Sequence, residues 1–193
     1  AVTWARDRLL PYDSGTRRTG PEEHPKDLSF VLDQCLGLDR NPRSFLHGRL
    51  IPDRVGLAGH SFGGMGAMRA AMRDPRFRCV LAMTWVDPDA VTLTCPVFLM
   101  IADRDRTVDE IGNMVIRHLF TELPGPAFLL ELKDAGHYTF TEMAQLKPDF
   151  GDGIGSETGP GGEPRPFWAC GAAQVEINRY ALAFFEWALC ERP

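Results

Sequence analysis

No stretch of this sequence approaches the ~18 consecutive apolar residues that a membrane-spanning helix needs, so no membrane span is expected. Positive charge is also in short supply. The 21 lysines and arginines face 26 acids, a formal charge of −5, which argues against a nucleic-acid or acidic-membrane partner. Lysine itself is scarce, three against eighteen arginines, which reads as a coding bias. The five cysteines form no CxxC pair and no Cys/His comb, so no metal is implied. Cys79 and Cys95 stand in or beside apolar runs and read as core thiols. Cys170 and Cys190 flank a helical stretch; a bridge between them stays open, but needs a bend, since a straight helix of that length spans about 30 Å. The chain opens Ala-Val-Thr-Trp without a charged-then-apolar leader, so a signal peptide is absent or already removed. No internal repeat is visible.

What is present is ample apolar material. Hydrophobic residues make up 44% of 193 residues, enough to fill the core of one compact domain over 1–193. Residues 1–25 read as irregular, punctuated by Pro11, Gly15, Gly20, Pro21 and Pro25. Leu28, Val31, Leu32, Cys35 and Leu36 then fall on one face of a helix beginning near Lys26. From there apolar runs and amphipathic stretches alternate. Strands are expected at Arg54–Gly59, Arg78–Trp85, Pro96–Ala102 and Ala127–Leu132. Helices are expected at Gly63–Arg73, Val108–Leu123, Thr139–Leu146 and Ala172–Cys190. Lys147–Pro166 is mostly Gly, Pro and acid, and reads as a mobile loop. Such alternation predicts an α/β fold, a mostly parallel sheet with helices on both faces.

Between the first of these strands and its helix lies Gly59-His60-Ser61-Phe62-Gly63-Gly64. A GxSxG at a strand-to-helix junction is a nucleophile elbow, a tight turn that lifts the serine Oγ above the sheet edge. Gly59 and Gly63 are expected there because side chains would collide with strand and helix, and Gly64 lets the helix start close to the sheet. The helix N-terminus also turns free N–H groups toward the site, which favours an anion. A serine hydroxyl needs a base to become a nucleophile. After Pro96–Ala102 come Asp103 and Asp105, and after Ala127–Leu132 comes Asp134-Ala135-Gly136-His137-Tyr138. That chain order, serine then acid then histidine, suits His137 as proton shuttle. Asp105, farther into its loop, is preferred to Asp103 as the acid, and the choice stays open. His60 packs or hydrogen-bonds beside the serine; His24, His47 and His118 read as surface or helix residues.

These segments (GHSFGG at 59–64, LAMTW at 81–85, CPVFLMIADRDRTV at 95–108, LLELKDAGHYTF at 129–140) resemble the α/β-hydrolases. Within them the chain is similar to dienelactone-hydrolase-like and platelet-activating-factor acetylhydrolase-like esterases and to bacterial cutinase-type polyester hydrolases. The resemblance implies a Ser61, Asp105, His137 triad hydrolysing small acyl or aromatic esters, or polyesters such as cutin or aromatic plastics, without a cofactor. It implies an oxyanion N–H from Phe62, an acyl-pocket wall from Trp85, and secretion; the Phe62 and Tyr138 rings are further candidates for that aromatic wall. Dienelactone hydrolases proper use cysteine where this chain has Ser61, which disfavours lactone chemistry. The family's upstream strands, and the loop that donates a second oxyanion N–H, have no counterpart in the first 25 residues, so a truncated fold is expected. An elbow strand without its usual neighbours leaves an open sheet edge, and a homo-oligomer through that edge follows. A serine peptidase or thioesterase with the same triad, and a catalytically silent interaction domain, are the rival readings.

Overall fold

The computed structural model describes residues 2–5, 8–11 and 23–190. Its centre is a four-stranded, wholly parallel sheet in the order β3-β4-β5-β6: β3 (Val55–His60), β4 (Phe77–Met83), β5 (Val97–Ala102) and β6 (Ala127–Leu132). These strands coincide with the expected apolar runs because strands buried on both faces carry continuous hydrophobic sequence. β5 is the clearest case, with all six residues buried. β4 ends at Met83, two residues short of the expected Trp85, because Thr84 takes a positive φ of 67° and turns the chain out of the sheet.

Alternate side chains of each strand feed two separate cores. On one face Leu57, Val80, Ala82, Leu99 and Ile101 meet helices α1 (His24–Arg40), α2 (Phe62–Arg73) and α3 (Asp109–Glu122). On the other, Cys79, Leu81, Phe98, Met100 and Ala102 meet α5 (Cys170–Cys190), which lays Ala173, Ile177 and Phe184 across the sheet. A short α4 (Met143–Leu146) follows a 3₁₀ turn at His137–Phe140, so the helix expected at Thr139–Leu146 is divided in two.

Four expectations are corrected. The stretch 1–25 is not wholly irregular: β1 (Val2–Ala5) and β2 (Arg8–Pro11) pair as an antiparallel hairpin, and α1 already begins at His24 with Pro25 in its first turn. Strands of four residues are too short for their alternation to stand out; residues 12–22 of that stretch lie outside the described residues. Residues 147–166 are not a featureless loop. They contain the hairpin β7 (Ser156–Thr158) and β8 (Pro164–Pro166), and Ile154 is buried to 2% exposure. Cys170 and Cys190 are both free, because α5 runs unbroken between them and holds them about 30 Å apart. Finally, a Cβ at Gly63 would meet nothing within 4 Å, so that glycine avoids no collision of its own; the crowding is at its neighbour Gly59.

Candidate active site

The three candidate groups come from the carboxyl ends of three different strands. Ser61 follows β3 and caps α2 with φ 56° and ψ −125°, a backbone state that a non-glycine residue adopts only when its surroundings impose it. What imposes it is visible. Ser61 N–H donates to the Met83 carbonyl of the neighbouring strand at 2.8 Å, and Gly64 N–H returns to the Ser61 carbonyl at 2.9 Å. The turn is so tight that a Cβ on Gly59 would lie 2.1 Å from the Gly63 carbonyl oxygen. One on Gly64 would lie 2.6 Å from the Trp85 carbonyl oxygen.

From this elbow Ser61 Oγ stands 3.0 Å from His137 Nε2, and His137 Nδ1 stands 2.8 Å from Asp105 Oδ2. Both His137 and Asp105 are buried, at 2% and 5% exposure, which removes competing water from the pair. A carboxylate only accepts, so Nδ1 carries the proton and Nε2 offers its lone pair to the serine hydroxyl. The second Asp105 oxygen accepts Thr107 N–H at 2.9 Å and Val108 N–H at 3.0 Å, which locks the carboxylate plane. Asp103 faces elsewhere and accepts Ala135 N–H at 3.3 Å. Of the two aspartates left open by the sequence, Asp105 is the one that meets the imidazole.

His60 lies under His137, their ring centroids 4.7 Å apart, and its Nε2–H donates to the His137 carbonyl at 2.8 Å. Burial pushes the His60 imidazole below its ordinary pKa, against the opposing pull of that carbonyl. A neutral His60 therefore buttresses the loop without adding charge beside the base.

Phe62 is the first residue of α2, where an N–H has no carbonyl of its own helix to meet; its half-exposed ring contacts His24 edge-on at 4.9 Å. Trp85 sits just beyond β4, its indole against α3, where a Cβ on Gly112 would come within 3.1 Å of it. Tyr138 packs edge-to-face on His137 at 5.1 Å and on Phe150 at 4.7 Å.

One residue of this neighbourhood escapes the sequence reading. Asp152, inside the Gly/Pro-rich segment, accepts hydrogen bonds from both the Asp105 loop and the His137 loop. The signal available was Gly151-Asp152-Gly153, an acid between two glycines, all three of which take positive φ. Among the described residues no group of three His, Cys, Asp or Glu side chains could hold a metal ion, and no helix is long and apolar enough to cross a membrane.

Comparison with known proteins now bears on this geometry. The family model of platelet-activating factor acetylhydrolase, isoform II, matches residues 31–150. The chain belongs to that family. The match takes in the elbow, both aspartates, His137 and Phe150. Bis(hydroxyethyl) terephthalate hydrolase of Streptomyces coelicolor is 28% identical over 150 residues, 72% of this chain and 46% of that protein. Cutinase est2 of Thermobifida alba is 24% identical over 149 residues, 72% of this chain and 48% of its own length. A ferulic acid esterase from Streptomyces cinnamoneus superposes with a TM-score of 0.66 at 27% identity, over 94% of this chain and 52% of that one. The chain thus spans about half the length of the curated relatives it matches. The parallel sheet with helices on both faces is the α/β-hydrolase fold, in keeping with the mostly parallel sheet expected.

Proposed function

We propose that this protein is a serine carboxylester hydrolase working through an acyl-enzyme. The observation that carries the reading is the unbroken line of hydrogen bonds from Ser61 Oγ through His137 to Asp105. Ser61 Oγ attacks the acyl carbon of the ester while His137 Nε2 takes the hydroxyl proton, and Asp105 stabilises the imidazolium that results. The Phe62 N–H supports the negative charge on the former carbonyl oxygen. His137 then gives its proton to the departing alkoxide. Water enters, His137 removes its proton, and collapse of the second tetrahedral intermediate releases the acid and restores Ser61.

Trp85 and Tyr138 supply an aromatic wall, which favours acyl and aromatic groups over charged ones. Small acyl or aromatic esters are the proposed substrates, extending to polyesters such as cutin or aromatic plastics, in keeping with relatives that are a bis(hydroxyethyl) terephthalate hydrolase and a cutinase. A polymer such as cutin cannot enter a cell, so action on it requires secretion; recovery of the protein from culture supernatant tests that step. Residues 1–193 form one α/β-hydrolase-type domain on this reading, and a single calorimetric transition is expected. Among the described residues β3 pairs only with β4, and an apolar groove of about 450 Å³ lined by Leu28, Leu36, Ile51 and Val55 runs beside it. A second copy pairing edge to edge through β3 covers both, and light scattering that finds a monomer at high concentration overturns that association.

The decisive test of the reaction is labelling by a fluorophosphonate probe. The wild-type chain takes the label and Ser61→Ala does not. Wild-type protein that stays unlabelled and cleaves no p-nitrophenyl ester sinks the esterase reading in favour of a silent interaction domain.

A further inference from the structure

Asp105 and His137 belong to two loops that leave the sheet at the Ala102–Leu132 pair, where β5 and β6 end; just past it Asp103 N–H donates to the Leu132 carbonyl at 3.1 Å and Arg104 N–H to the Ala135 carbonyl at 2.9 Å. Those backbone bonds stop at Arg104 and Ala135, short of the acid and the base, and a further tie lies beyond them. Asp152 makes it. One of its carboxylate oxygens, Oδ1, accepts Arg106 N–H at 2.9 Å and His137 N–H at 3.1 Å, so a single atom bridges the two loops. Oδ2 accepts the Thr107 hydroxyl at 2.7 Å, and the Asp152 carbonyl accepts Tyr138 N–H at 2.9 Å. Two residues next to Asp105 and two that begin with His137 are therefore gathered on one side chain and its backbone.

The position is built to stay. Asp152 takes φ +46°, a state that Asp and Asn tolerate better than other side chains. Gly153 behind it, at φ +103°, accepts the Thr139 hydroxyl on its carbonyl oxygen at 3.0 Å. A Cβ on Gly136 would lie 2.4 Å from Gly153 N, so the two backbones touch directly and the carboxylate has no slack to drift from His137.

We propose that Asp152 is a positioning residue, a clamp that sets the Asp105–His137 separation on which proton transfer depends. The proposal rests on the esterase reading for its kinetic consequence, but its geometric content can be read without activity. A misplacement of about 1 Å in such a constellation costs on the order of 100-fold in rate. Asp152→Ala removes three side-chain bonds and is expected to lower kcat by roughly 10- to 100-fold while leaving KM within about twofold, because it touches no substrate. Asp152→Asn restores the arrangement, since its amide oxygen accepts both N–H groups and its NH₂ donates to the Thr107 hydroxyl; its kcat is expected within about threefold of wild type.

The experiment measures kcat and KM on p-nitrophenyl acetate and, separately, the far-downfield proton resonance of His137 Nδ1–H in its bond to Asp105. Loss or broadening of that resonance in Asp152→Ala, and its return in Asp152→Asn, supports the clamp. The clamp is overturned by a folded Asp152→Ala whose resonance and kcat match wild type, by a loss confined to KM, or by an Asn variant as impaired as the Ala one. Should the wild-type chain cleave no ester, the esterase reading fails while the resonance still decides the clamp. If Asp152→Ala does not fold, Thr107→Val removes one strut alone. A smaller fall in kcat at unchanged KM is then expected, and a Thr107→Val protein identical to wild type in both readouts refutes the clamp.

Discussion

Replacing Asp105 by asparagine isolates the electronic part of the site from its shape. Asp105 Oδ1 accepts two backbone N–H groups, from Thr107 and Val108, while Oδ2 accepts the His137 Nδ1 proton. An asparagine in the same rotamer must keep its carbonyl oxygen on the two backbone donors. The reversed amide would set NH₂ against two N–H groups, a loss of about 1–3 kcal/mol for each unsatisfied donor. Its NH₂ therefore faces His137 Nδ1, which must become an acceptor, and the ring proton moves to Nε2. There it points at Ser61 Oγ, and the lone pair that should take the serine proton is gone. A wrong tautomer of this kind lowers kcat by about 10⁴ in a serine protease, or about 5.5 kcal/mol. A fall of about 10³–10⁴ is expected here with KM nearly unchanged, since ground-state binding is untouched. The assay compares wild type, Asp105→Asn and Asp103→Asn on p-nitrophenyl acetate at neutral pH, with thermal melts alongside. Asp103→Asn is expected to stay within about threefold of wild type, since Asp103 only accepts Ala135 N–H at 3.3 Å. An Asp105→Asn enzyme that keeps more than about a tenth of wild-type kcat refutes the tautomer argument. A larger loss in Asp103→Asn refutes the choice of acid.

Two further expectations concern stability. Gly59→Ala would force a Cβ to 2.1 Å from a backbone oxygen that cannot swing aside, so it belongs at the upper end of overpacking, about 3 kcal/mol. For a domain of this size that is a fall in Tm of roughly 6–12 °C, and a melt within about 2 °C of wild type contradicts it. The second is pH-dependent. Asp74 accepts the Arg76 side chain at 2.6 and 2.9 Å and the Ser29 hydroxyl at 2.8 Å, and Arg76 holds its carboxyl well below the usual carboxylate range. Because the folded value is the lower one, this stabilisation is present above about pH 3.9 and is lost as pH falls below it. Asp74→Asn is expected to cost about 1–2 kcal/mol at pH 7, discounted for the partly exposed Arg76, with the deficit shrinking in acid. Urea denaturation at pH 7 and pH 3 checks this, and a deficit independent of pH would dismiss the ion pair as its cause.

The sheet was readable from the amino-acid order because strands buried on both faces leave uninterrupted apolar runs; β6 begins and ends where its run does. The elbow was readable because strand, turn glycines and helix lie next to one another in the chain. What could not be read depends on contacts between distant segments. Asp103 and Asp105 both leave the end of β5, and only the turn at Arg104 decides which faces His137. Composition also misleads between 147 and 166, where abundant Gly and Pro look like slack chain. Those glycines instead let Asp152 and Gly153 press against Gly136, a contact with no periodic signature. β1 and β2 were missed for a different reason, their four-residue length.

The nucleophile, acid and base hang from β3, β5 and β6 respectively, so any contact between their loops presupposes the alignment of those strands. Sliding β5 by one residue against β6 would invert which way its side chains point, carrying Asp105 away from the imidazole while helix content stayed the same. Turnover is therefore a finer gauge of strand alignment in this molecule than any far-ultraviolet spectrum. A preparation that looks fully folded by ellipticity yet cleaves nothing would have its fault in the stacking of its strands, not in its chemistry.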